Sequence, residues 1–257
     1  MGLLADAEPF SFDGGPVGVV VSHGFTGNPS SLRPWADHLA AAGYSVRLPL
    51  LPGHGRPWQD TNRTRWPEWY AAVEASFTEL TARCETVFAV GLSMGGTLVT
   101  RLAEQHPERI AGLVLVNPAY ATRRFDAKLA PYITWLVKSR PAIGGDIKKP
   151  GVAEEAADRL PVVAFASLQK LWKTTRADLA KLRAPVLMYR SREDHVVDDL
   201  SAELLKARAV NTTIEEIILE DSYHVATLDN DAERIFTGSV EFIESLTTTS
   251  PVDGAPS

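Results

Sequence analysis

The sequence has one cysteine, Cys84, among 257 residues, and only six histidines. A single cysteine rules out an intramolecular disulfide and a zinc site built from several thiolates. The histidines show neither H-E-x-x-H nor H-x-H spacing, so we expect no metal site. The Gly53-His54-Gly55 turn matches neither the G-x-G-x-x-G pattern of dinucleotide-binding folds nor the Walker A pattern. We therefore expect no nucleotide cofactor.

Long apolar runs and an excess of positive charge are also missing. No apolar stretch reaches about 18 residues, so we expect no membrane-spanning helix. Residues 1–10 contain no basic region followed by an apolar stretch, from which we expect no signal peptide and a cytoplasmic location. Acidic residues outnumber basic ones by 32 to 26, and the net charge of −6 argues against a nucleic-acid partner.

Short β-rich runs alternate with helical patterns along most of the chain. The helical patterns cover 31–44, 66–84, 94–107 and about 230–246. The alternation predicts an α/β fold with a mostly parallel, doubly wound sheet. Its predicted buried strands cover 16–24, 44–55, 86–91, 112–117, 185–191 and 213–220.

Residues 118–180 break this alternation, because they contain no convincing strand. Two or three helical segments separated by prolines fit there, and we expect a small helical cap above the carboxyl edge of the sheet, where ligands of open α/β sheets bind. The predicted organisation is one core over 1–117 and 181–247, the cap inserted after a central strand, and a flexible polar tail over 248–257. Monomer and homodimer are equally compatible with the sequence.

The sequence Gly-Leu-Ser-Met-Gly at 91–95 lies between a predicted strand and a predicted helix. In a sharp strand-to-helix turn the central residue, Ser93, is strained and stands above the sheet, and the two flanking glycines avoid collisions with neighbouring backbone. In this context a G-x-S-x-G motif predicts a nucleophilic serine. The alternative is a glycine-rich turn that arises by chance.

A nucleophilic serine needs a base, and His224 follows the last predicted strand, at the edge where Ser93 is expected. Asp194 follows the preceding strand, and the order serine, acid, histidine is the one used by α/β-hydrolases. The competing acids are Asp198 and Asp199. Both are placed in the first turn of the next helix, where the helix dipole favours carboxylates.

Acyl transfer also needs N–H donors for the oxygen that becomes negative in the tetrahedral intermediate. One donor is expected at Met94, the residue after the nucleophile, and the other at Phe25, in the loop after an early strand. Gly24 would let this loop approach the substrate closely. For His23, a catalytic or metal-binding role competes with a role in fixing the loop by hydrogen bonds.

Five sequence blocks between residues 15 and 230 resemble the bacterial monoacylglycerol lipase and thermostable carboxylesterase group of α/β-hydrolases. In chain order they are GPVGVVVSHGFTG, LPLLPGHG, GLSMGGTL, EDHVV and SYHVATLD. The resemblance implies a small cap with an acyl tunnel on one side and a small alcohol pocket on the other. It also implies Phe25 and Met94 as the oxyanion donors.

In the family that the chain resembles, an acidic cap residue can hold the hydroxyl groups of glycerol. Segment 146–161 is similar to that part of the cap, and Asp158 falls at the matching place, where the family has a glutamate. The alternative for Asp158 is a solvated carboxylate on a helix face. Several apolar cap residues could line the tunnel or form the cap's own core, namely Trp135, Leu136, Ile143, Leu168 and Leu171. Of these, Ile143 joins Asp158 and Gly24 as a candidate substrate-binding residue.

The residues therefore predict a serine hydrolase that cleaves carboxylic esters through an acyl-enzyme intermediate. The expected substrates are monoacylglycerols or short-to-medium-chain esters. A thioester, lactone or amide substrate is an open alternative, because a fold does not select the substrate. A ligand-binding protein without activity is a third interpretation, which the complete set of serine, acid and histidine disfavours.

Overall fold

The structure is a computed structural model, and it describes residues 3–4, 6–128, 132, 134–141 and 145–248. Within these ranges the strands are β1 (Phe10–Phe12), β2 (Val17–Ser22), β3 (Ser45–Leu48), β4 (Thr86–Leu92), β5 (Leu113–Val116), β6 (Ser139–Pro141), β7 (Arg159–Pro161), β8 (Val186–Ser191) and β9 (Ile214–Leu219). The helices are α1 (Arg33–Ala41), α2 (Trp58–Thr61), α3 (Trp66–Thr81), α4 (Met94–Gln105), α5 (Phe125–Lys128), α6 (Val162–Asp178), α7 (Leu200–Arg208) and α8 (Ala232–Thr247).

Seven of these strands form one sheet in the order β1-β3-β2-β4-β5-β8-β9. The six strands predicted from the sequence pair in parallel, and the added edge strand β1 runs antiparallel to β3. The predicted α/β fold with a mostly parallel sheet is confirmed. Because β2 and β4 pair with Ser22 opposite Gly91, the loop after β2 emerges beside the turn after β4.

Both faces of the sheet are covered by apolar side chains. Along β4, Val87 and Ala89 belong to one buried cluster, and Phe88 and Val90 belong to the other. This follows from the two-residue period of a strand, whose successive side chains point to opposite faces. A strand buried on both faces reads as a continuous apolar run, which is why these strands could be recognised in the sequence.

The segment predicted as a helical cap is helical only in part. It contains the short helix α5 and the long helix α6, which packs against α3 and α4. It also contains the antiparallel pair β6–β7, with Ser139 opposite Pro161, so the expectation that 118–180 holds no strand is wrong. Two three-residue strands are too short for an alternating pattern to reveal them, and each of them ends in proline.

The apolar cap residues suggested for a tunnel have different surroundings. Leu168 and Leu171 are buried in the main core, whereas Trp135 and Leu136 are among the most exposed large apolar side chains. Ile143 lies outside the described residues, as do residues 249–257 of the predicted tail. In the part of the chain that the structure describes, no helix combines the length and apolar character needed to cross a membrane.

Candidate active site

Ser93 occupies the tight turn between β4 and α4. Its φ of 55° and ψ of −118° are a strained combination for a residue with a side chain. A Cβ on Gly91 would lie 2.5 Å from the carbonyl carbon of Gly95, and one on Gly95 would overlap the carbonyl oxygen of Ser22. The two glycines of the motif are therefore required by the close approach of β2, β4 and α4, as the sequence pattern predicts.

The imidazole of His224 is hydrogen-bonded to Asp194, with 2.8 Å between Nδ1 and Oδ2. Asp194 follows β8 and His224 follows β9, so adjacent parallel strands deliver both side chains to the same edge. The other carboxylate oxygen of Asp194 accepts the backbone N–H groups of Val196 and Val197, each at 2.8 Å. These bonds fix the carboxylate, and the carboxylate in turn fixes the imidazole so that Nε2 is left to act on another group.

The charges around His224 favour its protonated form. Burial alone would lower the pKa of His224, but the charge and hydrogen bond of Asp194, with the carboxylates of Glu154 and Asp146, raise it above the ordinary value. For Asp194, burial alone would raise the pKa, and the charge and hydrogen bond of His224, with two backbone N–H groups, lower it. The pair is thus arranged to stabilise an imidazolium beside an ionised carboxylate.

The loop after β2 faces Ser93 at close range. A Cβ on Gly24 would lie 3.6 Å from the Cβ of Ser93, so the loop backbone passes directly beside the serine. The N–H of Phe25 donates to no protein acceptor in the described part of the chain. Met94 is the first residue of α4, where an N–H has no intrahelical partner. Both groups predicted as oxyanion donors are therefore available to a substrate oxygen.

His23 fixes this loop by hydrogen bonds, which is the second of the two roles considered for it from the sequence. Its buried ring accepts the N–H of Leu51 at Nε2, over 3.1 Å, and its Nδ1 donates to the carbonyl oxygen of Gly24, over 3.0 Å. Burial, with the neighbouring His54, lowers the pKa of His23 to about 3. In the residues that the structure describes, no group of three or more His, Cys, Asp or Glu side chains could hold a metal ion.

Ser93 and His224 both line a cavity of about 260 Å³ between the sheet edge and the cap. Ser93 is 8% exposed, so access to it runs through this cavity. Most of the lining is apolar, and its apolar side chains from the second half of the cap are those of Leu160, Val162, Phe165, Leu168 and Trp172. Among the described residues, the carboxylates in the lining are those of Asp146 and Glu154.

Of the acidic residues in 151–158, Glu154 lines the cavity. Asp158, which the resemblance places at the glycerol-binding position, is exposed and does not line the cavity. Glu154 lies four residues earlier, its carboxylate accepts the backbone N–H of Gly145, and burial raises its pKa. Its Oε1 lies 2.9 Å from the place where a Cβ on Gly27 would stand, so the glycine makes room for it.

The cap segment that carries Glu154 is docked on the loop after β2. The N–H of Ala157 donates to the carbonyl oxygen of Thr26 at 3.0 Å, and Asn28 Nδ2 donates to the carbonyl oxygen of Glu155 at 2.5 Å. Sequence reasoning missed Glu154 because 151–158 has no periodic pattern that fixes which residue points inward. The three acids of this segment therefore could not be ranked without the docking contacts.

Comparison with known proteins assigns the chain to a family. Residues 17–231 match Hydrolase_4, described as serine aminopeptidase, S33. A thermostable monoacylglycerol lipase of Bacillus sp. (strain H-257) is 43% identical over 241 residues, which are 93% of this chain and 95% of that protein. A carboxylesterase of Bacillus subtilis (strain 168) is 28% identical over 243 residues, which are 93% of this chain and 97% of that protein.

Solved structures give the same assignment. A solved structure from work on LipS and LipT, two metagenome-derived lipolytic enzymes, superposes on this chain with a TM-score of 0.92. The two sequences are 39% identical, and the superposition covers 95% of this chain and 100% of that one. A monoacylglycerol lipase of Paleococcus ferrophilus shares the fold, with a TM-score of 0.72 at 23% identity, over 96% of this chain and 100% of that one. The chain therefore belongs to the Hydrolase_4 family of serine hydrolases, within the α/β-hydrolase superfamily.

Proposed function

We propose that this protein hydrolyses carboxylic esters, with monoacylglycerols as its preferred substrates. Ser93 is the nucleophile, His224 is the general base and Asp194 is the acid that orients it. The observation that carries the proposal is the meeting of Ser93 and the Asp194–His224 pair at the wall of a mainly apolar cavity. Two relatives similar to this chain over 93% of its length are named a monoacylglycerol lipase and a carboxylesterase.

The mechanism has two half-reactions that use the same groups. His224 Nε2 accepts the proton of Ser93 while Oγ attacks the ester carbonyl carbon, and the N–H groups of Phe25 and Met94 bind the resulting oxyanion. His224 then returns the proton to the leaving alcohol, which leaves an acyl-enzyme. Water, deprotonated by the same imidazole, attacks the acyl group, and the collapse of the second tetrahedral intermediate releases the carboxylic acid and regenerates Ser93.

The lining of the cavity supports an ester with an apolar acyl group and a polar alcohol. The apolar wall formed by β7 and α6 suits an acyl chain, because burying each methylene there contributes about 0.8 kcal/mol. The carboxylate of Glu154 lies close enough to His224 to raise its pKa, and so it lies beside the group that protonates the leaving alcohol. An alcohol with further hydroxyl groups, such as glycerol, can donate hydrogen bonds to that carboxylate.

The nucleophile is tested with Ser93→Ala and the exposed serine variant Ser11→Ala as its control. We expect Ser93→Ala to lower kcat for monolauroylglycerol by about 10⁴-fold or more and to abolish labelling by a fluorophosphonate, because no other group takes over the attack. Ser11→Ala should retain both. Substantial turnover by folded Ser93→Ala, or labelling of another serine, would contradict the proposal.

Hydrolysis of peptides from their amino end is the second candidate, because the matched family is described as a serine aminopeptidase. The cavity carboxylates Asp146 and Glu154 could bind an α-ammonium group as well as hydroxyl groups. Values of kcat/KM for aminoacyl p-nitroanilides and for monoacylglycerols separate the two candidates. We expect the glycerides to be the better substrates, and the reverse order would favour the aminopeptidase.

A further inference from the structure

One carboxylate of the cap binds the loops that carry both Asp194 and His224. Asp146 Oδ1 accepts the ring Nδ1–H of His195 at 2.8 Å. Its Oδ2 accepts two backbone N–H groups, that of His195 at 3.1 Å and that of His224 at 3.2 Å. His195 follows Asp194 directly in the chain. Asp146 is therefore hydrogen-bonded both to His195, the neighbour of the acid, and to His224, the base.

The cap segment 145–149 is attached to the loop around His224 by further bonds. The N–H of Val225 donates to the carbonyl oxygen of Asp146 at 3.1 Å. Asp229, four residues after Val225, accepts the N–H groups of Lys148, Lys149 and Tyr223 at 2.7, 2.9 and 2.9 Å. The segment is thus bonded to the loop after the histidine, at Val225 and Asp229, and before it through the ion pair of Lys148 with Asp221. Its one carboxylate, that of Asp146, lines the cavity.

The side chain of Asp146 is only 12% exposed, so its three hydrogen bonds are shielded from competition by water. Without it, backbone N–H groups of both loops would lose their acceptor, and the two loops could move relative to each other. Catalysis by a serine and a histidine depends on their relative placement, and a displacement of about 1 Å can lower a rate about 100-fold.

We propose that Asp146 is a positioning residue that joins the cap to the acid and the base and sets the geometry of the Asp194–His224 pair. The proposal rests on the proposed function, because the effect is exerted on the hydrolytic reaction. It would add a residue of the cap to the groups that act on every substrate, whereas the other cap residues that line the cavity are expected to act on substrate choice.

The negative charge of Asp146 also acts on the pKa of His224. The carboxylates of Asp194, Glu154 and Asp146 face His224 and raise its pKa against the effect of burial. His195 is faced by Asp146, Asp194 and Glu193, and its ring packs edge-on against Tyr223 at 4.8 Å, with Lys148 Nζ 5.6 Å from the centre of the Tyr223 ring. Removing the charge of Asp146 should therefore shift the acid limb of the pH–rate profile to lower pH, because His224 loses its proton more readily.

Two variants separate the hydrogen bonds from the charge. Asp146→Asn keeps an oxygen that can accept the two backbone N–H groups and removes the charge. We expect its kcat at the pH optimum to stay within about 3-fold of the wild type, with the acid limb shifted to lower pH. Asp146→Ala removes the acceptors as well. We expect its kcat to fall at least about 10-fold, for glycerides and methyl esters alike, and fluorophosphonate labelling of Ser93 to slow in parallel.

The matched control is Asp221→Asn, which removes a carboxylate of the same loop that binds the same cap segment. Asp221 pairs with Lys148 Nζ at 3.0 Å, is exposed and does not line the cavity. We expect its kcat to stay within about 2-fold of the wild type, because exposed ion pairs contribute little. Circular dichroism and thermal unfolding of each variant identify any loss of the folded protein, and then Asp146→Asn alone decides through its pH profile.

The proposal is overturned if folded Asp146→Ala keeps the wild-type kcat and labelling rate. It is also overturned if Asp146→Asn leaves the acid limb where it was. Either result, with Ser93→Ala inactive, leaves the proposed function standing. A wild-type protein without esterase activity, or an active Ser93→Ala variant, would instead remove the proposed function itself.

Discussion

The sheet edge and the cap form opposite walls of the same cavity, but they are built differently. On the sheet edge, Ser93, Asp194 and His224 directly follow strands or lie in the loops after them, and those strands are paired along their length. In the cap, Asp146 and Glu154 lie between the short strands β6 and β7, outside any helix. They are held by hydrogen bonds to the loops after β2, β8 and β9.

This difference indicates how substitutions in the two regions should affect activity. Residues of the sheet edge are set by the backbone geometry of the whole domain, so altering them should affect every substrate. Residues of the cap are set by a few loop contacts, so altering them should affect some substrates more than others. Asp146 is the proposed exception, because it lies in the cap and acts on the sheet-edge groups.

The largest effect is expected from Asp194→Asn, which removes the charge that orients and stabilises the His224 imidazolium. We expect kcat to fall by about 10⁴-fold for glycerides, alkyl esters and p-nitrophenyl esters alike. The control is Asp198→Asn, the competing acid, whose carboxylate instead accepts the N–H groups of Arg123 and Leu200. A stronger loss in Asp198→Asn than in Asp194→Asn would reverse the assignment of the acid.

The next effect concerns folding. Gly95→Ala would drive a methyl group into the carbonyl oxygen of Ser22, and neither backbone can yield without moving β2 or α4. We expect the free energy of unfolding to fall by more than about 3 kcal/mol, measured by urea unfolding, or no folded protein at all. Gly24→Ala is the control. Its methyl group would lie 3.6 Å from the Cβ of Ser93, an ordinary contact distance, so we expect Gly24→Ala to fold with little loss of stability.

A selective effect is expected from Glu154→Gln. We expect kcat/KM for monoacylglycerols to fall about 10-fold while methyl and ethyl esters of the same acid stay within about 2-fold, because only the glyceride offers hydroxyl groups to the carboxylate. Asp158→Asn should leave both substrate classes unchanged, since Asp158 does not line the cavity. An equal loss for both substrate classes would show that Glu154 does not bind the hydroxyl groups of the alcohol part of the substrate.

The smallest effect is a change in pH dependence. As the proposed base, His224 must be neutral, and its pKa is raised from 6.5, so we expect activity to be lost as the pH falls through a midpoint above 6.5. Glu154→Gln removes one of the charges that raise this pKa, and the midpoint of kcat/KM for an alkyl ester should move to lower pH by less than about one unit. A shift to higher pH would contradict this electrostatic arrangement.

The sequence predicts the sheet edge well, because its signals are local. Strands buried on both faces are continuous apolar runs in the sequence. The glycines at 91 and 95 indicate a turn that has no room for a side chain at these two positions. Asp194 and His224 could be located because each follows a recognisable strand. Strand β1 was missed because its three residues are too few to form a pattern and because it lies at the edge.

The sequence predicts the cap less well, because its structure depends on contacts between distant residues. Asp146 and His195 are 49 residues apart, and neither lies in a patterned segment. Asp158 was selected through the resemblance of segment 146–161 to the family's cap, and nothing local in 151–158 indicates which of its acids faces the cavity. The contacts that do fix this orientation, from Asn28 to Glu155 and from Ala157 to Thr26, join segments more than 100 residues apart.

The buried His23 has a consequence for kinetic experiments. With both ring nitrogens engaged and burial lowering its pKa to about 3, this imidazole stays neutral while the pH falls through the range in which His224 gains its proton. The loop bearing the Phe25 N–H therefore gains no charge at His23 in that range. A titrating histidine in the proposed oxyanion loop would normally complicate the interpretation of a pH–rate profile. Here the neutral His23 leaves the acid limb to report on His224 and the carboxylates around it.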